Sequence, residues 1–188
     1  MKNLLLSGRP RIGKTNLLRR ALAKSPVSYG GFSVQRLEKN GWTWAFRLLD
    51  LAWEPYQPQT QMPEAHPADV VIELGPDGKW RGKRAVFDGK GRQAVLAAVT
   101  EQVQLIVLDE LGIFERDAQA FQAAVFAALD CPWPVLGVLK NKSNPFLDRI
   151  RTHPDTRILT VTEDNHGAAA LEIDRFLQKE LFNNETMD

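Results

Sequence analysis

The sequence predicts an α/β fold, a mostly parallel sheet with helices on both faces and an antiparallel hairpin extension. Apolar runs alternate with helix-period segments along most of the 188 residues, the pattern of strands covered by helices. One continuous apolar run, "VQLIVLDELG", has the character of a central parallel strand. One segment instead reads as two alternating strands joined at Asn40-Gly41, a dipeptide suited to the positive φ values of a tight turn.

Composition sets the bounds. A chain of 188 residues with 44% hydrophobic content can bury one sizeable core, so a single domain over residues 1–188 is expected. A net charge of +1 gives no global attraction to nucleic acid or membrane, so any such partner needs a local patch. The single Cys131 excludes an internal disulfide, and the apolar start is too short for a signal core or a membrane span. A soluble, cytoplasmic monomer is the expectation.

In chain order, a strand at Leu4 to Leu6 leads through a glycine-bearing loop into a helix at Lys14 to Lys24, ended by Ser25-Pro26. "GGFSVQRLEKNGWTWAFRLLDL" supplies the hairpin, with Trp42, Trp44 and Phe46 two apart and expected to pack on one sheet face. Ala52 to Ala68, with Pro55, Pro58, Pro63 and Pro67, reads as a surface loop. "ADVVIEL" is a short strand, "GPDGKWRGK" a turn-rich connection, "RAVF" a further strand, and Gly91 to Gln102 a helix. After the central strand come the Ala-rich helix "AQAFQAAVFAALD", the strand "PVLGVL", the short helix "PFLDRI" and the strand "RILTV". A final helix, capped by Thr162, runs through Leu181.

Gly8, Gly13, Lys14 and Thr15 satisfy G-x-x-x-x-G-K-[ST] between a strand and a helix. In that context the loop amides and the positive end of the helix surround phosphate oxygens. Lys14 reaches the outer phosphates, and the Thr15 hydroxyl is placed for Mg²⁺. A nucleotide's metal needs a further oxygen donor and water needs a base, and Asp109-Glu110 at the end of the central strand meets both needs. The nucleotide-binding set is therefore Gly8, Arg9, Pro10, Arg11, Ile12, Gly13, Lys14, Thr15 and Asn16, with Asp109, Glu110 and Gly112. Within it Lys14 and Glu110 are catalytic, and Thr15 and Asp109 hold the metal.

These segments resemble the small P-loop nucleoside-triphosphatases, also called thermophile or cancer-related nucleoside-triphosphatases. The likeness is carried by "GRPRIGKTNLL", "GGFSVQRLEKNGWTWAFRL", "LIVLDELGIFE", "PVLGVL" and "VTEDN", over most of the chain. It implies a RecA-like P-loop sheet of the additional-strand, catalytic-glutamate class, with a strand inserted between the two nucleotide motifs. It also implies hydrolysis of ATP, GTP and other nucleoside triphosphates to diphosphate and phosphate, slow and broad in base. The family's loop usually has glycine and valine where Arg11 and Ile12 stand, so Arg11 must adopt that glycine's backbone angles, at a strain of about 1–3 kcal/mol if φ is positive.

Rival readings rest on particular residues. Asp109 to Gly112 also reads D-x-x-G, and "NKSN", Asn141 to Asn144, nearly reads the guanine-selecting N-K-x-D, but Asn144 lacks the carboxylate that selects guanine. A nucleotide or small-molecule kinase would use arginines such as Arg81, Arg84 and Arg92. A nucleotide-regulated RNA-binding or protein-binding module could contact RNA weakly through Arg81, Lys83 and Arg84. His66, His153 and His166 lack metal-site spacing and are expected to be solvated or capping. Glu115 is expected to orient Glu110 or an arginine, or to cap the next helix, and the resemblance places Asn165 near the nucleobase.

Overall fold

The computed structural model describes residues 1–57, 66–101 and 103–184. The strands are β1 (Asn3–Gly8), β2 (Tyr29–Lys39), β3 (Trp42–Asp50), β4 (Val70–Leu74), β5 (Trp80–Gly82), β6 (Leu105–Leu111), β7 (Val135–Leu139) and β8 (Thr156–Val161). The helices are α1 (Lys14–Lys24), α2 (Arg84–Val86), α3 (Arg92–Thr100), α4 (Gln119–Asp130), α5 (Pro145–Arg151) and α6 (His166–Asn184). Of the proline-bearing loop, residues 58–65 lie outside the described residues. Among the described residues no helix is long and apolar enough to cross a membrane.

The strands form one sheet in the order β5-β4-β3-β2-β6-β7-β1-β8. From β2 to β8 every pairing is parallel, and β3, β4 and β5 add antiparallel pairings at one side. The expected hairpin extension is thus three strands wide beyond β2. β7 lies between β1 and β6, the inserted strand that the resemblance implied. All five parallel strands therefore end at one edge, where the phosphate loop and the acidic pair both sit.

Alternation along the strands builds a core on each face. Leu4 and Leu6 of β1 pack with Leu18 and Leu22 of α1 and Ile173 of α6, while Leu5 turns to the face covered by α3, α4 and α5. β6 divides likewise, with Ile106 and Leu108 on one face and Leu105 and Val107 on the other. Burial on both faces is why these strands read as unbroken apolar runs.

The antiparallel side differs most from expectation. Asn40 and Gly41, with φ of 51° and 80°, make the expected tight turn. β3 then carries an extra residue, since Leu37 pairs with Ala45 and Glu38 with Thr43. This bulge breaks the alternation at Trp44, so only Phe46 packs, on Trp80 at 5.3 Å, while Trp42 is 79% and Trp44 43% exposed. "RAVF" is helical rather than a strand. Its Phe87 enters a π turn and is fully buried against Phe121, and four residues are too few to show a period. Trp80 to Gly82 in the turn-rich segment pairs with β4 as a short strand. Thr162 does not cap α6, which begins at His166.

Phe121 is fully buried between Phe32 and Phe87, with centroids at 5.2 and 5.4 Å. Phe121→Ala is expected to lower the unfolding free energy by about 3–5 kcal/mol. Urea unfolding measures it, and a loss below about 1 kcal/mol contradicts this packing.

Candidate active site

The phosphate loop is shaped by its backbone. Gly8, Arg11 and Gly13 all have positive φ, at 141°, 63° and 91°. Gly8 is the last residue of β1, and a Cβ there would lie 2.4 Å from the Val161 carbonyl oxygen of the neighbouring strand. Arg11 meets the condition set by the sequence: an arginine occupies the left-handed region with its side chain exposed. α1 starts after Gly13 with no side-chain cap and no acidic residue in its first turn, so its amides remain available to an anion.

Lys14 is buried, and its Nζ donates to the carbonyls of Gly8 at 3.1 Å and Arg9 at 2.8 Å. Burial holds its pKa below the usual lysine value, against the raising effect of Glu110 and Asp109. Thr15 Oγ1 donates to Asp109 Oδ1 at 2.9 Å, which joins the loop to the acidic strand end across 94 residues of sequence. Arg9, Pro10, Arg11 and Asn16 are exposed along the loop rim, and Ile12 is half-buried.

Asp109 is 1% exposed and is held by hydroxyls that no motif indicated. Its Oδ2 accepts from Ser33 Oγ at 3.1 Å and from Tyr56 Oη at 2.7 Å. Burial raises its pKa, and the hydrogen bonds from Tyr56 and Thr15 oppose the rise. Tyr56, itself raised well above the ordinary phenol value by burial and then by the Asp109 charge, also carries Arg19 at 5.0 Å from its ring centroid. Thr15 and Asp109 offer the hard oxygen donors a divalent metal takes. Among the described residues no group of three or more His, Cys, Asp or Glu could hold a metal.

Glu110 occupies a bulge. Asp109 pairs with Val138 and Leu111 with Leu139, leaving Glu110 as the extra residue on β6. A bulge re-aims its side chain, and Glu110 Oε1 meets Lys140 Nζ at 3.0 Å. Gly112 N donates to Glu115 Oε2 at 3.1 Å, so the buried Glu115 secures the backbone beyond the acidic pair rather than pairing with an arginine. Burial pushes Glu115 up to about 7.

Four other expectations take definite form. Asn144 Oδ1 accepts from Leu147 N at 2.8 Å, so the last residue of "NKSN" caps α5. Arg81, Lys83 and Arg84 pair with Asp77, Glu73 and Asp88 at 2.7, 2.7 and 3.0 Å, so carboxylates already face the basic segment. Asn165 accepts from Thr162 N and donates to the Thr160 carbonyl, both at 2.8 Å, fastening its own loop. His66 and His153 do accept from nearby backbone amides, as expected of capping residues. His166 does not follow them: its Nε2 bonds the Ile12 carbonyl, and its ring lies 3.0 Å from where a Gly13 Cβ would be. Tyr56, Ser33 and His166 were thus all missed, lying 53, 76 and 154 residues from the atoms they meet, as was Lys140, which a helix and a strand separate from Glu110.

A family model described as NTPase matches residues 3–174. The chain belongs to this family. Among curated relatives, the nucleoside-triphosphatase THEP1 of Thermofilum pendens is 32% identical over 87% of this chain and 88% of its own length. That of Natranaerobius thermophilus is 26% identical over 95% and 98%. The crystal structure of THEP1 from the hyperthermophile Aquifex aeolicus superposes with a TM-score of 0.70 at 16% identity, covering 94% of this chain and 99% of that one. The solution structure of a human cancer-related nucleoside triphosphatase gives 0.67 at 23% identity, covering 95% and 98%. Both show that this NTPase has their fold.

Two outcomes follow from the loop and its support. Arg11→Gly removes a left-handed arginine and is expected to raise stability by up to about 1 kcal/mol, after the entropy glycine adds to the unfolded chain; a loss in denaturant unfolding contradicts the strain. Glu115 has a folded pKa of about 7, above its unfolded value of 4.5, so the folded chain holds the extra proton between them and stability falls as pH rises through that window. Glu115→Gln removes this dependence, and its stability relative to the unsubstituted chain is expected to improve from pH 5 to pH 8. A constant difference would show that Glu115 is charged throughout.

Proposed function

We propose that this NTPase-family enzyme is a single-domain, monomeric, cytoplasmic hydrolase. It cleaves nucleoside 5′-triphosphates to diphosphate and phosphate with Mg²⁺ and with little base discrimination. The observation that carries this reading is the Thr15–Asp109 hydrogen bond of 2.9 Å, which brings the phosphate loop and the acidic strand end into one site.

Loop amides and the start of α1 hold the phosphate chain. Lys14 exchanges the Gly8 and Arg9 carbonyls for the outer phosphate oxygens, a favourable trade because those oxygens carry full charge. Thr15 directly, and Asp109 through a coordinated water, would hold Mg²⁺, which when bound neutralises charge building on the phosphates. Glu110 takes the proton from the attacking water. Its place in a bulge at the strand end separates its work from that of Asp109, which three hydroxyls fix in place.

Broad base tolerance is supported at the position where a guanine-selecting carboxylate would stand, because Asn144 is a helix cap. The RNA-contact reading draws no support from Arg81, Lys83 and Arg84, which face carboxylates. Phosphate release from ATP, GTP, CTP and UTP, with and without Mg²⁺, tests the whole reading. Rates within about tenfold of one another, and dependent on Mg²⁺, are expected. Lys14→Ala is expected to abolish binding or turnover, whereas Glu110→Gln keeps binding and loses turnover by about 100-fold or more. Normal turnover by Glu110→Gln rejects it as the base.

A further inference from the structure

Lys140 belongs to no motif, yet it stands where the halves of the site meet. It directly follows β7, which lies between β6 and β1. A long cation at that strand end is flanked by the acidic pair on one side and the phosphate loop on the other. Its backbone is fixed from both directions: its N–H donates to the Leu111 carbonyl at 2.9 Å, and its carbonyl accepts from Arg151 Nη2 at 2.7 Å. The side chain crosses Gly112 so closely that a Cβ there would lie 3.1 Å from Lys140 Cδ. It passes the Phe114 ring, 5.7 Å from centroid to Nζ, and ends 3.0 Å from Glu110 Oε1. Glycine at 112 and the aromatic ring thus form a channel for this one side chain.

An ammonium on Glu110 conflicts with the work proposed for that carboxylate, since it competes for the lone pair that must take a proton from water. A bound triphosphate resolves the conflict. Its terminal phosphate brings more negative charge than one carboxylate and offers several acceptor oxygens.

We propose that Lys140 is a catalytic residue that exchanges partners: it holds Glu110 until a triphosphate binds, then moves onto a γ-phosphate oxygen, freeing Glu110 as base. This rests on the reading of Glu110 given above. In the step that follows, the water oxygen bonds to Pγ and the water proton goes to Glu110. The bond from Pγ to the bridging oxygen breaks, and its electron pair stays on the β-phosphate. Lys14 and Lys140 together hold the charge on the transferring group, and Glu110 then releases its proton to solvent. A second cation supplied by the chain itself fills the role that a partner's arginine fills elsewhere.

Lys140→Met keeps the stem in its channel and removes the charge, and Lys140→Arg keeps the charge. With the full chain, Mg²⁺ and ATP, the Met variant is expected to lose about 100-fold in kcat. ADP affinity should stay within about twofold, and the Arg variant should recover at least about tenfold of the lost rate. Affinity gives an independent reading. Glu110→Gln removes the competing carboxylate, so it is expected to tighten ATP but not ADP by about tenfold, and adding Lys140→Met should cancel that gain. An unchanged kcat together with an unchanged ATP-to-ADP affinity ratio in Lys140→Met overturns the exchange. So does an equal loss of ATP and ADP binding, which assigns Lys140 to the fold. If the unsubstituted chain releases no phosphate from any triphosphate, the hydrolase reading fails, and the affinity cycle still decides the exchange.

Discussion

The site depends on one buried carboxylate. Asp109 is sealed at the end of β6, and removing an isolated carboxylate from water costs several kcal/mol unless donors replace the water. Three hydroxyls do so, from Thr15 at the start of α1, Ser33 on β2 and Tyr56 in the loop after β3. Each hydrogen bond to a charged group contributes about 1.5–3 kcal/mol, which offsets part of that cost while burial still holds the carboxyl above its ordinary pKa. Asp109 therefore locks three other segments into register with the strand that carries Glu110. The phosphate loop is positioned by this contact as much as by its own glycines.

Sheet order does the rest. Because β7 is inserted between β6 and β1, the loop and the acidic pair stand apart by one strand, and the residue leaving that strand sits between them. Lys140 occupies that position and Arg151 fixes its backbone. On the far side of β1, β8 approaches Gly8 closely, and His166 at the start of α6 holds the Ile12 carbonyl. The phosphate loop is thus braced by β8, the start of α6 and Asp109 of β6, and its positive-φ residues are kept in place by contacts outside the loop.

What the sequence makes legible is whatever rests on local rules. The parallel strands could be read because burial on both faces leaves runs such as Leu105 to Leu108 unbroken, and the hairpin because Asn40-Gly41 tolerates positive φ. The loop, Asp109 and Glu110 could be read because phosphate and metal chemistry demand those residue types at a fixed spacing. The bulge at Trp44 and the helical turn at Phe87 could not, since the one is a shift of register against β2 and the other follows the burial of Phe87 against Phe121. Ser33, Tyr56, Lys140 and His166 are ordinary residues in sequence, and only the strand order brings them to the site.

Arg11 marks the boundary between these two kinds of information. A residue that stands where the resemblance implies glycine is expected to take angles that glycine adopts freely, and the Arg11 φ of 63° lies in that left-handed region. The strain is local, and so it was readable from one position. The force that tolerates it is not local: the anchoring of Gly8 against Val161, of Ile12 by His166 and of Thr15 by Asp109 surrounds Arg11 on both sides in sequence. A loop fixed at three points within eight residues has no freedom to relax one unfavourable dihedral. Its shape is imposed by the fold, and a glycine at that place would lower the cost of that shape without being its cause.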